Sequence, residues 1–222
     1  MSIFRIRQTI PLISNSAHPN FIEVENESIF SVLTHAPGPE GSLDVSDTML
    51  KEAASGELCG LSQNAGMGWS PKEMLGPQYL ILNSHGGIRN EDGSPVALGY
   101  HTGHWEIGLL AEKAAKEFKK MGAVPFAAHV SDPCDGRSQG TTAMFDSLAY
   151  RNDASTVLRR LARSLPTARG IMGVATCDKS MPAMMMALAS LGELPVILVP
   201  GGVTLSATEG EDALGHLIYF HK

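Results

Sequence analysis

The sequence predicts an α/β fold: a mostly parallel sheet flanked by helices, carried behind an irregular amino-terminal extension. Three observations predict it. From residue 78 onward, short apolar runs of strand character alternate with longer segments of helical period. The helical segments end in glycine or proline punctuation. Each of the first three strand-like runs is followed by a polar loop, as expected where parallel strands are joined by helical crossovers. The boundaries that follow are residues 1–77 for the extension and 78–222 for the α/β domain, whose pattern is clearest over 78–205.

The extension offers little periodicity. Pro and Gly cluster at 37–41 (PGPEG), and 59–71 (CGLSQNAGMGWSP) is rich in turn formers. Phe30–Leu33 has strand character, but few long elements are expected before residue 76. Tyr79–Leu82 is the first clear strand. The loop 83–104 follows, and then a helix whose apolar face is Ile107, Leu110, Ala111, Ala114, Ala115 and Phe118. Gly122 stands where a left-handed residue ends a helix. Val124–Val130 is the second strand, followed by the loop 131–142 and a helix through Tyr150. Asp153 or Ser155 is a good N-cap for a further helix with Val157, Leu158, Leu161 and Leu165 inward, closed by Pro166. Gly170–Thr176 is the third strand. Met181–Leu191 is a helix that tolerates Pro182 in its first turn, and Pro195–Val199 is the fourth strand.

Composition narrows the function. The chain has 222 residues, 43% hydrophobic and 18% charged, which suits a globular protein with a real core. A net charge of −6 argues against a nucleic-acid partner. The basic clusters Lys113–Lys120 and Arg159–Arg163 are interleaved with apolar residues and read as solvated helix faces. No apolar run is long enough for a membrane span, and the start lacks a signal-peptide core, so a cytoplasmic location is expected. Three cysteines without CxxC spacing do not form a disulfide framework. The sequence lacks the phosphate loop GxxxxGK[ST], the nucleophile elbow GxSxG and the zinc motif HExxH.

In open parallel sheets, ligands sit beyond the carboxyl ends of the strands. Cys177-Asp178-Lys179 lies there, between a strand and a helix start. A helix N-terminus favours thiolate, so Cys177 is expected to have a lowered pKa. Thiolate suits soft metals and iron–sulfur clusters, whereas carboxylate suits Mg2+. A soft and a hard ligand side by side suggest two different metals. Cys134-Asp135 repeats the pairing after the preceding strand. Each motif alone also reads blandly: Cys177 as a small core residue with Asp178 as a cap, and Asp-Pro with Asp-Gly as turns around Cys134. His101 and His104 read either as metal ligands or as satisfied polar histidines at a helix start. Met181, Met184, Met185 and Met186 read as flexible core packing, and Cys59 as structural.

GVATCDKSMPAMMMALASLGELPVILVPGG, together with DGRSQGTTAM, resembles the two signatures of the dihydroxyacid/phosphogluconate dehydratase family. The wording SDPCDGRSQGT and the long amino-terminal region are most similar to its D-xylonate dehydratase subgroup. The resemblance implies a hydro-lyase acting on a small-molecule sugar acid, with an iron–sulfur cluster (2Fe-2S or 4Fe-4S) and Mg2+. Cys177 matches a cluster cysteine, and Asp135, Asp178 and the carbamylated Lys179 match Mg2+ ligands. Typical members carry another cluster cysteine just before the first long helix, where this chain reads Tyr100-His101-Thr102-Gly103-His104. Cys134 and His101 are the two candidates for that role. Family members run to several hundred residues. Their third cluster cysteine, serine base and carboxy-terminal β-barrel lie beyond residue 222, so the chain is expected to be an amino-terminal fragment and a complete enzyme a homo-oligomer. Three rival readings stand: an inactive remnant, a dehydratase of 6-phosphogluconate or branched-chain dihydroxyacids, and a non-iron metal or redox module using Cys134 and Cys177.

Overall fold

The computed structural model describes residues 41–43, 45–101 and 103–202. The Phe30–Leu33 strand and the tail from residue 203 lie outside the described residues. Four strands, β1 (Gln78–Asn83), β4 (Val124–His129), β5 (Ala168–Ala175) and β6 (Val196–Pro200), form one sheet in the order β4-β1-β5-β6, and every pairing is parallel. Inside the 83–104 loop, β2 (Ile88–Arg89) and β3 (Pro95–Ala97) make a small antiparallel hairpin that the sequence reading did not anticipate.

Helix α3 (Gly103–Lys120) lies on one face of the sheet. Ile107 and Ala111 pack there against Ile81 and Val174, with Ala114, Ala115 and Phe118 at the margin. Leu110, expected inward, is exposed on the edge of the stripe. Gly122 ends this helix with a φ of 77°, a conformation that costs glycine no Cβ clash. The opposite face carries α5 (Asp146–Arg163) and α6 (Ser180–Ala189). Alternation along β1 divides its side chains between the two cores: Leu80 and Leu82 toward α5 and α6, Ile81 toward α3.

Helix α5 is continuous, although a break near residue 152 was expected. Its buried stripe is Ala154, Leu158 and Ala162; of the residues expected inward, Leu158 is buried and Leu161 and Leu165 pack against the same core, whereas Val157 is exposed. The small alanines let α5 approach α6 closely. A short helix, α4 (Asp135–Ser138), and a 3-10 turn (Thr142–Phe145) occupy the loop after β4. Ahead of the sheet, α1 (Asp47–Glu52) and α2 (Ser55–Gly66) form where an irregular extension with few long elements was expected, and α2 runs into the turn-rich stretch 59–71. Cys59 lies exposed on α2. No helix among the described residues is long and apolar enough to cross a membrane.

With chain order β1, β4, β5, β6 and β1 inside the sheet, successive crossovers leave β1 in opposite directions. The carboxyl ends of β1 and β5 therefore flank a topological switch point, the position where open α/β sheets bind ligands.

Candidate functional site

Chain segments converge at that point from the ends of β1, β4 and β5 and from the start of α3. Thr176–Lys179 carries the chain from β5 into α6. Cys177 is the one non-glycine residue of positive φ among the described residues, at 67°. A side chain in that region costs roughly 1–2 kcal/mol, a strain found where surrounding contacts hold the backbone in place. Thr176 Oγ1 donates to Gly202 O at 3.0 Å, and Ser180 Oγ donates to Thr176 O, pinning this turn from both sides.

The side chains around Cys177 are imidazoles. One ligand atom each from His101, His104 and Cys177 lies within 4.8 Å of the others. His104 is fully buried, and its Nε2 is 3.7 Å from Cys177 Sγ. The same nitrogen touches Asp132 Oδ1, and both side chains are sealed from solvent. Asp132 Oδ2 accepts a hydrogen bond from Ser180 N at 3.2 Å, so this carboxylate also holds the first residue of α6. His101 Nδ1 accepts from Gly103 N at 3.0 Å and caps the start of α3.

The thiol does not behave as its place in the sequence suggested. Burial first, then the negative charges of Asp132, Cys134 and Asp178, push Cys177 up to about 12. The helix begins only at Ser180, and burial of the thiol disfavours its charged form. Cys134 is half-buried before α4, near enough to influence Cys177, but it is not part of the convergent set.

Beside this group stands a second of opposite character. Lys179 Nζ donates to Asp135 Oδ2 at 2.6 Å and to Asp178 Oδ2 at 2.8 Å, and Ser147 Oγ donates to Asp135 Oδ1. A hydrogen bond shared with Asp178, followed by those from Lys179 and Ser147, holds Asp135 at about 2. The same two carboxylates raise Lys179. The structure thus brings Asp135, Asp178 and Lys179 together, and it separates them from the imidazoles by the single step from residue 177 to 178.

A cavity of about 180 Å3 opens next to His101, lined by Gly86, Arg89, Gly99, Trp105 and Arg137 among others. Arg89 lies over the Trp105 ring at 4.4 Å, and Arg137 Nε donates to Tyr100 O at 2.6 Å. Asp132, Arg89, Arg137 and Trp105 were not singled out from the sequence. Asp132 sits in the SDPCD stretch, but nothing local there marks one aspartate as buried.

A family model of the dihydroxy-acid/6-phosphogluconate dehydratase amino-terminal domain matches residues 96–219, more than half of the chain. The chain belongs to this family. Among its relatives, the D-xylonate dehydratase YagF of Escherichia coli (strain K12) is 60% identical over 85% of this chain and 29% of its own length. The D-xylonate dehydratase YjhG of the same organism is 53% identical over 87% of this chain and 30% of its own length. The dihydroxy-acid dehydratase of Methanoregula boonei is 32% identical over 60% of this chain and 25% of its own length. The chain therefore spans about three tenths of the length of the D-xylonate dehydratases it matches.

The residues present can be tested against the iron–sulfur cluster and Mg2+ that the family resemblance implies. Cys177 is a soft donor among imidazoles, and its thiol keeps its proton unless a cation displaces it. Buried Asn83 Nδ2, Ser84 Oγ, His85 Nδ1 and His104 Nδ1 around the switch point have no hydrogen-bond partner, as expected of a pocket built for a polar or charged group. The oxygen group fits a divalent cation on one condition. Its ammonium competes with a cation for Asp135 and Asp178, and carbamylation of Lys179 replaces that positive charge with an anionic oxygen donor.

Proposed function

We propose that this chain supplies the metal-holding part of a hydro-lyase that dehydrates a D-xylonate-like aldonate to a 2-keto-3-deoxy acid, with an iron–sulfur cluster and Mg2+ as cofactors. The observation that carries the reading is the adjacency of Cys177, among imidazoles, and Asp178-Lys179, among carboxylates, at the sheet's switch point. The names of the D-xylonate dehydratase relatives support the substrate class.

The overall reaction removes the proton from C2 and the hydroxyl from C3, and the resulting enol becomes the 2-keto group. When bound, the two metal centres supply Lewis acidity for the departing hydroxyl and charge stabilisation for the substrate's carboxylate end. Cys177, with His101 or Cys134, would hold the cluster, and Asp135, Asp178 and carbamylated Lys179 would hold Mg2+. Arg89 and Arg137 line the neighbouring cavity with unspent N–H donors suited to the polyhydroxy chain of the substrate. A soluble protein of the cytoplasm suits this chemistry, because exposed clusters and free thiols persist under reducing conditions.

The test is anaerobic purification with measurement of iron, acid-labile sulfide and Mg2+, followed by a keto-acid assay on D-xylonate. 6-Phosphogluconate and a branched-chain 2,3-dihydroxy acid serve as rival substrates. Stoichiometric iron and sulfide, lost in Cys177→Ala, with keto acid formed fastest from D-xylonate, is the expected result. A metal-loaded chain without turnover would reduce the proposal to a metal-holding module. A folded protein free of iron would overturn it.

A further inference from the structure

We propose that the β2–β3 hairpin, with Trp105 of α3 and Arg137 of α4, forms a specificity pocket for the hydroxyl-bearing end of an aldonate, remote from its carboxylate, and that Arg89 and Arg137 select this end against an alkyl one. The inference rests on the reading of the chain as part of a sugar-acid dehydratase.

The pocket is the cavity beside His101. Bare backbone forms its floor, because Gly86, Gly87 and Gly99 close the neck of the hairpin in direct contact. A Cβ on Gly87 would lie 2.9 Å from Gly99 N, and one on Gly99 would lie 3.1 Å from Gly86 O. Gly87 also has a φ of 84°, which suits glycine alone at such a close approach. The hairpin tip is tied as well. Asn90 N donates to Ser94 O at 2.9 Å, and Asp92 Oδ1 accepts from Ser94 N at 2.8 Å. This scaffold holds Arg89, whose Nη1 donates to Gly93 O at 2.7 Å and whose guanidinium lies over Trp105. Arg137 comes from the loop after β4 and is fixed by its Nε–H to Tyr100 O. Each guanidinium thus spends an N–H on holding its place and keeps others for a ligand. No carboxylate lines the cavity among the described residues, so none on its wall occupies those donors.

Position decides which end of the substrate arrives there. Helix α4 carries both Asp135, of the oxygen group, and Arg137. His101, on the cavity wall, belongs also to the imidazole set. A substrate held by its carboxylate end at the oxygen group therefore lies with its far carbons beside the cavity. Selection then follows from what its arrival costs. Both arginines are exposed in the chain without ligand. A hydroxyl that displaces water from an N–H returns a hydrogen bond, whereas a methyl group covers the same N–H and returns none. A charged donor left unpaired in this way costs on the order of tenfold to a hundredfold in affinity.

The experiment is equilibrium binding to the whole chain with Mg2+ and bicarbonate present. Trp69 is the other tryptophan, so in a Trp69→Phe background Trp105 fluorescence reports entry into the cavity. The probes are D-xylonate, 2,3-dihydroxy-3-methylbutanoate and 6-phosphogluconate. The first two share a carboxylate and hydroxyls on C2 and C3, and differ in what C3 carries beyond them. D-xylonate should bind about tenfold or more tighter than the branched acid. Arg89→Met and Arg137→Met should each weaken D-xylonate about tenfold and leave the branched acid within about twofold, so that the preference collapses. Equal binding of the two acids by wild type, an equal loss of both in the variants, or no loss of either would overturn the proposal. Tighter binding of 6-phosphogluconate than of D-xylonate would overturn it too, by making the cavity a phosphate site. These outcomes leave the dehydratase class intact, since that is judged by iron, sulfide and turnover. A wild type that binds none of the acids would overturn the proposal, and it would remove the dehydratase reading as well only if iron were absent. Should a methionine variant fail to fold, Arg89→Lys and Arg137→Lys decide by the same comparison, because they keep the charge and lose the planar fork.

Discussion

A methyl group placed on Gly173 should destabilise the protein, and the packing geometry gives the size of the effect. Gly173 is buried in β5 on the face covered by α6. A Cβ there would meet Met184 Cγ at 2.6 Å, Met184 Sδ at 2.8 Å and Leu188 Cδ1 at 2.9 Å. Both side chains are buried in the core, so neither can swing out cheaply. Overpacking of this kind costs about 1–3 kcal/mol. Restricting the unfolded chain returns roughly 0.4–1 kcal/mol. Gly173→Ala should therefore lose about 1–2 kcal/mol, near 3–6 °C in Tm for a domain of this size. Met184→Ala alone should lose about 2–5 kcal/mol by leaving a cavity. In the double variant, the new methyl enters space that the thioether has left. Its cost should fall short of the sum of the single costs by about 1–2 kcal/mol, measured by urea unfolding of all four proteins. Additivity within ~0.5 kcal/mol would refute the claim that Gly173 exists to admit Met184.

Three further outcomes follow from the site and its neighbours. At pH 8 in metal-free protein, iodoacetamide should label exposed Cys59 well before Cys177, whose thiol is pushed up to about 12. Its thiolate fraction should be on the order of 10^3-fold below that of an ordinary thiol, and comparable labelling by peptide mass spectrometry would contradict this. Mg2+ should raise the Tm of wild type only when bicarbonate is present, whereas Lys179→Met should respond without it. Equal Mg2+ shifts with and without bicarbonate in wild type would show that the Lys179 ammonium is no obstacle. His129 is lowered from 6.5, chiefly by burial and then by His85. The unfolded chain therefore binds more protons just below pH 6.5, so this contribution is complete above that pH and is lost as pH falls through the folded value. His129→Gln should flatten the stability profile between pH 7.5 and 5.5, and an unchanged slope would count against this origin.

The sheet was legible because each strand is a short apolar run set between a turn and a polar loop. Gly170–Thr176 and Val124–Val130 fall within a residue or two of the observed β5 and β4. Misreadings occur where tertiary burial overrides local preference. Asp153 and Ser155 are good caps when the backbone is free to leave a helix, but Ala154 and Leu158 are buried against α6 and keep α5 running through them. In α2, the turn formers of the stretch 59–71, Gly60 and Gly66 among them, made a turn the better local reading. Burial of Leu61 and Asn64 holds it helical instead. The clustering of Asp135, Asp178 and Lys179 followed from two Cys-Asp pairs at the ends of strands in one sheet. Asp132 was illegible because its meaning lies in His104 and Ser180, neither of them near it in sequence. The lowered pKa expected for Cys177 failed for the same reason, since it counted a helix dipole and could not count the burial of the thiol or the negative charges that folding gathers round the sulfur.

The two Cys-Asp pairs look alike in sequence and take different parts in the fold. Asp135 begins α4 and joins the oxygen group, while Cys134 before it stays outside the imidazole set. In the later pair both residues are engaged, the sulfur with histidine and the carboxylate with lysine. The backbone accounts for the difference. Cys134 has an ordinary extended φ of −116°, whereas Cys177 is turned to 67°. That left-handed residue lets the chain leave β5 and enter α6 within a few residues, keeping a soft donor and a hard donor adjacent while they meet different neighbours. A thiolate and a carboxylate so close would repel each other in a dry site. The structure limits this by leaving Asp178 more than half exposed, pairing it with Lys179, and keeping the Cys177 thiol protonated until a cation arrives. Metal loading at the two groups should then be linked, because each cation relieves the charge that the other group feels.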